Sequence, residues 1–97
     1  MKRLEIHPLA EKELNDAIDY YESCARNLGL EFLDEVEDSF NSISSSPSTW
    51  AAAADTCQRF LLKRFPYAVI YREEKTVIEI LAISHNHRRP KYWVERS

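Results

Sequence analysis

Glycine is nearly absent from this chain, because Gly29 is the only one in 97 residues. Glycine supplies the backbone freedom that phosphate-cradling loops and long flexible loops require, so we expect neither. No apolar run approaches the roughly 20 residues that a membrane helix needs. The opening residues, MKRLE, alternate charged and aliphatic side chains, unlike the apolar centre of a signal peptide. We therefore expect a cytoplasmic protein that makes no contact with membranes.

Cysteine is also scarce, with Cys24 and Cys57 as the only two and no Cys-x-x-Cys pair. In a reducing compartment the simplest interpretation is two free thiols, the first on a helix and the second entering a strand. A disulfide between them is the less favoured alternative.

Charge is unevenly distributed along the sequence. Residues 1–56 hold 4 Lys/Arg and 12 Asp/Glu, a net charge of −8, whereas residues 57–97 hold 9 and 4, a net charge of +5. This asymmetry indicates either a polyanionic or acidic partner for the C-terminal half, or acidic helices beside a basic sheet. Hydrophobic residues at 44% and charged residues at 30% are typical of one folded domain, which we expect to span residues 1–97.

Hydrophobic periodicity predicts the N-terminal half of the fold. Residues 2–7 alternate as a short strand does, and Pro8 suits the first turn of a helix. Apolar residues at helical spacing follow between residues 10 and 28, with a solvated acidic face that includes Glu13, and Gly29 is the expected end of this helix. A second helical pattern covers residues 32–43 and ends before Pro47.

Three strands are predicted in the C-terminal half, over residues 58–65, 67–72 and 76–84. Residues 77–83 are almost all apolar, which indicates an interior strand covered on both faces. Residues 48–56 stay unassigned, with Trp50 expected in the core. The order predicts an α+β fold: a short N-terminal strand, an antiparallel two-helix hairpin, then a three-stranded antiparallel meander in one small sheet.

Three segments of the sequence resemble the ParE/RelE-like toxins of type II toxin–antitoxin (plasmid stabilisation) systems. The first runs from Leu9 through AIDYYE at residues 17–22 to GLEF at residues 29–32. The second is RFLLKRFPYAVIY at residues 59–71, and the third is ILAISHNHRRPKYW at residues 80–93, with Arg96 three positions on. The resemblance is closer to ParE than to RelE.

This resemblance implies a bacterial toxin that a cognate antitoxin neutralises, typically with a segment that folds on binding. A helical hairpin over a small sheet leaves apolar grooves and an edge strand for such a segment, and the basic C-terminal half would favour an acidic one. ParE-like relatives poison DNA gyrase by binding, whereas RelE-like relatives cut messenger RNA on the ribosome. A decayed toxin that only binds its antitoxin is a third alternative.

Positions that match two strand cations of the RelE-like nucleases are Leu61 and Ala68 here, and neither can carry charge or a proton. These positions argue against the nuclease, so we expect no enzyme, and the closer resemblance to ParE implies DNA gyrase as the target. We expect no cofactor, and no stable nucleic-acid binding except in the mRNA-cleavage alternative. The expected target-binding residues are basic or aromatic: Arg59, Arg88, Arg89, Lys91, Tyr92, Trp93 and Arg96. In the nuclease alternative, the catalytic candidates would be His85, His87, Arg88, Tyr92 and Arg59.

Each tail residue also has a structural interpretation. Trp93 would cover the open end of the core, while Arg88, Arg89, Lys91 and Arg96 would lie exposed around it. A histidine at the end of the last strand would hydrogen-bond the backbone. A metal site at His85 and His87, with His7 as a further ligand, would still need a third or fourth ligand, so no metal is expected.

Overall fold

A computed structural model describes residues 2–54 and 56–96, with nothing stated of the side chain of residue 54. The elements are the strand β1 (Arg3–Ile6), the helices α1 (Pro8–Cys24) and α2 (Leu28–Ser45), and the strands β2 (Ala51–Ala54), β3 (Cys57–Leu61), β4 (Tyr67–Glu73) and β5 (Val77–His85). A short 3-10 helix, Val94–Arg96, comes last. Within these ranges, no helix is both long and apolar enough to cross a membrane.

The sheet has five strands in the order β1-β5-β4-β3-β2. The predicted meander of β3, β4 and β5 is antiparallel throughout, and β1 joins it parallel to β5. The predicted α+β fold and the interior position of β5 are confirmed. The sequence did not indicate β2, which pairs antiparallel with β3 and forms one edge of the sheet.

The two helices form the predicted hairpin, but their junction differs from the prediction. Pro8 does begin α1, where the Nδ1 atom of His7 accepts the N–H of Leu9 at 3.1 Å. The expectation that Gly29 ends the first helix is wrong, because that glycine lies within the first turn of α2. Asn27 takes the left-handed conformation instead, with φ of 68°, which asparagine tolerates better than most residues.

Gly29 is needed for a close approach between the helices rather than for a turn. A Cβ atom at this position would lie 2.6 Å from the carbonyl oxygen of Ile18 and 3.1 Å from the Cβ of Glu22. The Glu22 carboxylate accepts the N–H groups of Asn27 and Gly29 at 2.9 and 3.0 Å, which satisfies donors at the start of α2. The glycine therefore lets α1 contact α2 through backbone.

Gly29→Ala is expected to lower the free energy of unfolding by about 1–3 kcal/mol, because the new methyl group forces the backbone of α1 away. Alanine's better helix propensity, about 1 kcal/mol, offsets only part of this cost. Urea unfolding measures the effect. The control is Asn15→Ala on the exposed face of α1, which should leave stability unchanged or slightly higher; equal behaviour of the two variants would refute the close-contact explanation.

A β-bulge explains why β5 is apolar almost throughout. Ile70 pairs with Ala82 and Tyr71 with Ile80, so Leu81 is the extra residue on β5. The bulge shifts the alternation of the strand, so that Ile80 belongs to the core beneath the helices while Leu81 and Ala82 belong to a second cluster with Trp93. Both faces of β5 are therefore covered, one by the helices and the other by the C-terminal tail.

Several smaller predictions can be compared with the structure. Cys24 is exposed at the end of α1 and Cys57 is buried at the start of β3, so no disulfide joins them. Trp50 is partly buried, and its ring lies 4.6 Å from that of Phe60 at the rim of the core. Two separate cysteines are the arrangement expected in a reducing compartment. The contact of Trp50 with Phe60 confirms the core position predicted for Trp50.

Candidate functional site

The C-terminal tail, defined as residues 86–96, turns back at the end of β5. The Asn86 N–H donates to the Pro66 carbonyl at 2.8 Å, and the Arg88 N–H donates to the His85 carbonyl at 2.9 Å. The Nδ1 atom of His85 accepts the N–H of His87 at 3.0 Å. This is the backbone hydrogen bond that the structural interpretation of a strand-end histidine predicts. These turns direct the basic and aromatic residues of the tail back toward the sheet.

Glu13 in α1 fixes the end of the tail. Its carboxylate accepts the Ile83 N–H at 3.0 Å, the Tyr92 hydroxyl at 2.7 Å, and the Arg96 guanidinium at 2.9 and 3.0 Å. Arg96 also donates to the Leu81 carbonyl at 3.0 Å. We call Glu13, Tyr92 and Arg96 the Glu13 clamp, because together they tie α1 to β5 and the tail.

Two predictions are wrong at this clamp. Glu13 was expected on a solvated helix face, but its side chain is only 14% exposed. Arg96 was expected to lie exposed, but its side chain is only 11% exposed because the Glu13 carboxylate neutralises it. That carboxylate also holds the pKa of Arg96 above its ordinary value. Glu13 lies about seventy or more positions from these partners in the sequence, so periodicity gave no signal of its role.

The ring of Tyr92 contacts two guanidinium groups. The Cζ atoms of Arg88 and Arg96 are 4.1 and 4.9 Å from the centre of its ring. Burial, followed by the hydrogen bond to Glu13, raises the pKa of Tyr92 to about 12. The phenol is therefore protonated at neutral pH and its hydroxyl donates a hydrogen bond to Glu13, so Tyr92 is poorly suited to act as a general base.

This pKa predicts a pH dependence of stability. A folded-state pKa of about 12, against 10.0 for the free side chain, gives stability that is present below pH 10 and lost as pH rises toward 12. Urea unfolding at pH 9 to 12 should show the fall, and Tyr92→Phe should show a shallower one. Tyr20→Phe, an exposed control, should retain most of the wild-type slope. Equal slopes for wild type and Tyr92→Phe would contradict the assignment.

A pocket of about 180 Å³ lies between the open face of the sheet and the tail. We call it the tail pocket. Its cationic side chains are Arg59 from β3 and Arg88 and Lys91 from the tail, and its apolar residues include Ala68, Ile70 and Trp93. The remaining lining residues are Ala53, Ser84, His85, Asn86 and Pro90. Among the described residues, no carboxylate lines this pocket.

The tail pocket brings together only some of the predicted site residues. Arg59, His85, Arg88, Lys91 and Trp93 line it. His87 and Arg89 lie exposed outside it, whereas Tyr92 and Arg96 belong to the Glu13 clamp. Trp93 is 6% exposed and packs in the second cluster, as its structural interpretation predicts.

The two apolar positions at the expected strand cations are neighbours. Leu61 pairs with Ala68 across β3 and β4. Ala68 is buried and lines the tail pocket, while Leu61 is 57% exposed. His7 is held at the start of α1, and across residues 2–54 and 56–96 no three His, Cys, Asp or Glu side chains are grouped as metal ligands would be.

Comparisons with known proteins find similarity over most of the chain. Residues 4–90 match the family model for the ParE toxin of the type II toxin–antitoxin system, parDE, a match that includes Arg59 and Arg88 but stops short of Lys91. A search of curated proteins finds no match. A solved structure, "Chromosomal ParDE TA system from P. aeruginosa", is similar with a TM-score of 0.78 and 18% sequence identity, over 88% of this chain and 96% of that one.

Proposed function

Because this chain belongs to the ParE toxin family of type II toxin–antitoxin systems, we propose that it is a toxin that binds and poisons DNA gyrase, and that a cognate antitoxin neutralises it. It acts in the bacterial cytoplasm, by binding rather than by catalysis. The target-binding surface is the tail pocket, with Arg59, Arg88 and Lys91 as its charged residues. Arg88 is the central contact because it is exposed and is positioned by its stacking on Tyr92.

The observation that supports binding over catalysis is the state of Tyr92. Cleavage of RNA through its 2′-hydroxyl needs a general base, a general acid and cations around the phosphorus. Tyr92, a catalytic candidate of the nuclease alternative, keeps its proton, because its hydroxyl donates a hydrogen bond to Glu13 and its pKa is raised to about 12. Ala68, at one expected cation position, contributes no charge to the pocket.

The antitoxin would dock near the β2 edge of the sheet, in a groove that shares Arg59 with the tail pocket but does not include Arg88 or Lys91. This groove of about 510 Å³ runs beside that edge and is lined by the apolar side chains of Trp50, Phe60 and Leu61, with Arg59 and Lys63 at its borders. An amphipathic segment that carries acidic residues suits such a groove, because its apolar side chains would cover the floor and its carboxylates would meet the two cations.

Ribosome-dependent cleavage of messenger RNA is the second candidate, and one observation favours it. His85 lines the same pocket as Arg59, Arg88 and Lys91, so a titratable ring and three cations share one site. A decayed toxin, which binds its antitoxin but does not arrest growth, would have the same fold.

Induced expression separates these candidates. The gyrase proposal predicts filamentation and induction of a DNA-damage reporter, with no new 5′ ends in transcripts mapped by primer extension. Transcript cuts at codon positions without DNA damage would establish the nuclease and overturn the proposal. Unaffected growth, with the folded protein present and no antitoxin expressed, would support the decayed toxin instead. Co-expression of the antitoxin should abolish every effect of a true toxin.

A further inference from the structure

The indole N–H of Trp93 is a buried donor that has no acceptor among the described residues. Trp93 is itself one of the residues that line the tail pocket. Buried donors in native proteins are nearly always paired, and an exception indicates a function, a water or a missing ligand. Trp93 therefore serves as a reporter, because a ligand that enters the tail pocket changes the surroundings of an indole N–H that no described residue engages.

The cations of the pocket point to an anion. Arg59 and Lys91 make no ion pair within the described part of the chain, and no carboxylate lines the pocket beside them. Arg88 lies 3.7 Å from a Glu13 oxygen, but Arg96 occupies that carboxylate more closely. The pocket therefore carries positive charge that no carboxylate of residues 2–54 and 56–96 neutralises fully, in a partly enclosed site where charge interactions are strengthened.

The size and layout of the pocket favour a phosphate. Its volume of about 180 Å³ is smaller than the roughly 300–1,000 Å³ of most small-molecule sites, so one group of a larger ligand fits it best. Its cationic donors come from β3, from the turn at Arg88 and from the following turn at Lys91. Donors on several sides suit a tetrahedral phosphate, whereas a planar carboxylate is satisfied by one guanidinium in a bidentate pair.

We propose that the tail pocket binds one backbone phosphate of the DNA on which the target enzyme acts. This inference rests on the proposed function and adds that the toxin contacts the DNA as well as the enzyme. The net charge of −3 weakens binding to free DNA, so the pocket binds an isolated phosphate measurably but weakly, and the enzyme presents the DNA phosphate to it in the complex.

Trp50 provides an internal control, because its indole N–H is also buried without a partner but Trp50 does not line the tail pocket. In ¹⁵N-labelled protein, the two indole signals can be followed by NMR while inorganic phosphate or the tetranucleotide (dT)4 is added. The Trp93 signal should shift saturably and the Trp50 signal should stay in place. Arg59→Gln should weaken binding roughly fivefold or more, and the matched loss of charge in Lys75→Gln should leave it within about twofold.

Several results would overturn the inference. These are no shift of the Trp93 signal, equal shifts of both indoles, or unchanged binding in an Arg59→Gln variant whose spectrum shows it folded. Tighter binding of tetraglutamate than of phosphate would assign the pocket to a protein carboxylate, and binding of (rU)4 without (dT)4 would assign it to RNA. Inhibition of purified gyrase without any Trp93 shift would refute the phosphate site and leave the proposed function standing. A Trp93 shift without gyrase inhibition would remove the DNA assignment together with the proposed function.

Discussion

Glu13→Ala should lower the free energy of unfolding by about 3 kcal/mol or more, the largest effect of a single substitution that we expect in this chain. The Glu13 carboxylate accepts hydrogen bonds from Ile83, Tyr92 and Arg96. Its removal leaves the Arg96 guanidinium, only 11% exposed, without its counter-charge. An uncompensated buried charge costs far more than the net value of the pair it came from. Urea unfolding monitored by circular dichroism gives the measurement.

Three further variants, Glu11→Ala, Arg96→Met and the double variant Glu13→Ala/Arg96→Met, separate the clamp from a general effect on α1. Glu11→Ala lies on an exposed position of the same helix and should change stability by less than about 0.5 kcal/mol. Glu13→Ala combined with Arg96→Met should be less destabilised than the sum of the single variants by about 1 kcal/mol or more, because the double variant buries no charge. Additive effects, or a Glu13→Ala variant as stable as Glu11→Ala, would show that the clamp does not exist in solution.

Arg88→Ala should abolish growth arrest while leaving antitoxin binding largely intact. Arg88 is 54% exposed along its side chain, lines the tail pocket and stacks on Tyr92. An arginine held in this way is typical of a binding hot spot, whose truncation costs about 2 kcal/mol, or roughly thirtyfold in affinity. Viable counts after induction measure toxicity, and isothermal titration with the purified antitoxin measures the second interaction.

Arg89→Ala is the matched control, because it removes the same charge one residue further on but outside the pocket. Arg89 makes no ion pair in the described part of the chain, and we expect its alanine variant to remain toxic within about threefold of wild type. Equal loss of toxicity in both variants would mean that toxicity depends on the net charge of the tail and not on the tail pocket. Loss of folding in Arg88→Ala alone would make that arginine structural.

Hydrophobic periodicity and single-residue signals in the sequence predicted the helices and most of the strands. Helical spacing in α1 and α2, and the change to period two after Cys57, identified both helices and the β3, β4 and β5 strands. Pro8 indicated the start of α1, because proline lacks the backbone N–H that the first turn of a helix does not need. The apolar run in β5 predicted its interior position. The sequence did not indicate the bulge at Leu81, which shifts the alternation of the strand and so requires apolar residues at consecutive positions.

The features that the sequence did not reveal depend on distant partners. β2 consists of alanines, which have little β propensity, so its strand conformation comes from pairing with β3. Gly29 signalled a helix end, the commonest use of a glycine there, whereas its actual role follows from contact with Ile18 in the neighbouring helix. Glu13 resembled the other acids of α1 until the tail was placed against it.

A cleavage assay with purified DNA gyrase, supercoiled plasmid and this protein measures gyrase poisoning without interference from other cellular targets. With the wild-type chain, we expect linear DNA to accumulate after detergent and protease treatment. Prior addition of the antitoxin should suppress it, and Arg88→Ala should reduce it roughly thirtyfold at equal concentration. Unchanged supercoiling activity and no linear DNA, at a molar excess of folded wild-type protein over gyrase, would contradict the proposal that this toxin acts by binding gyrase.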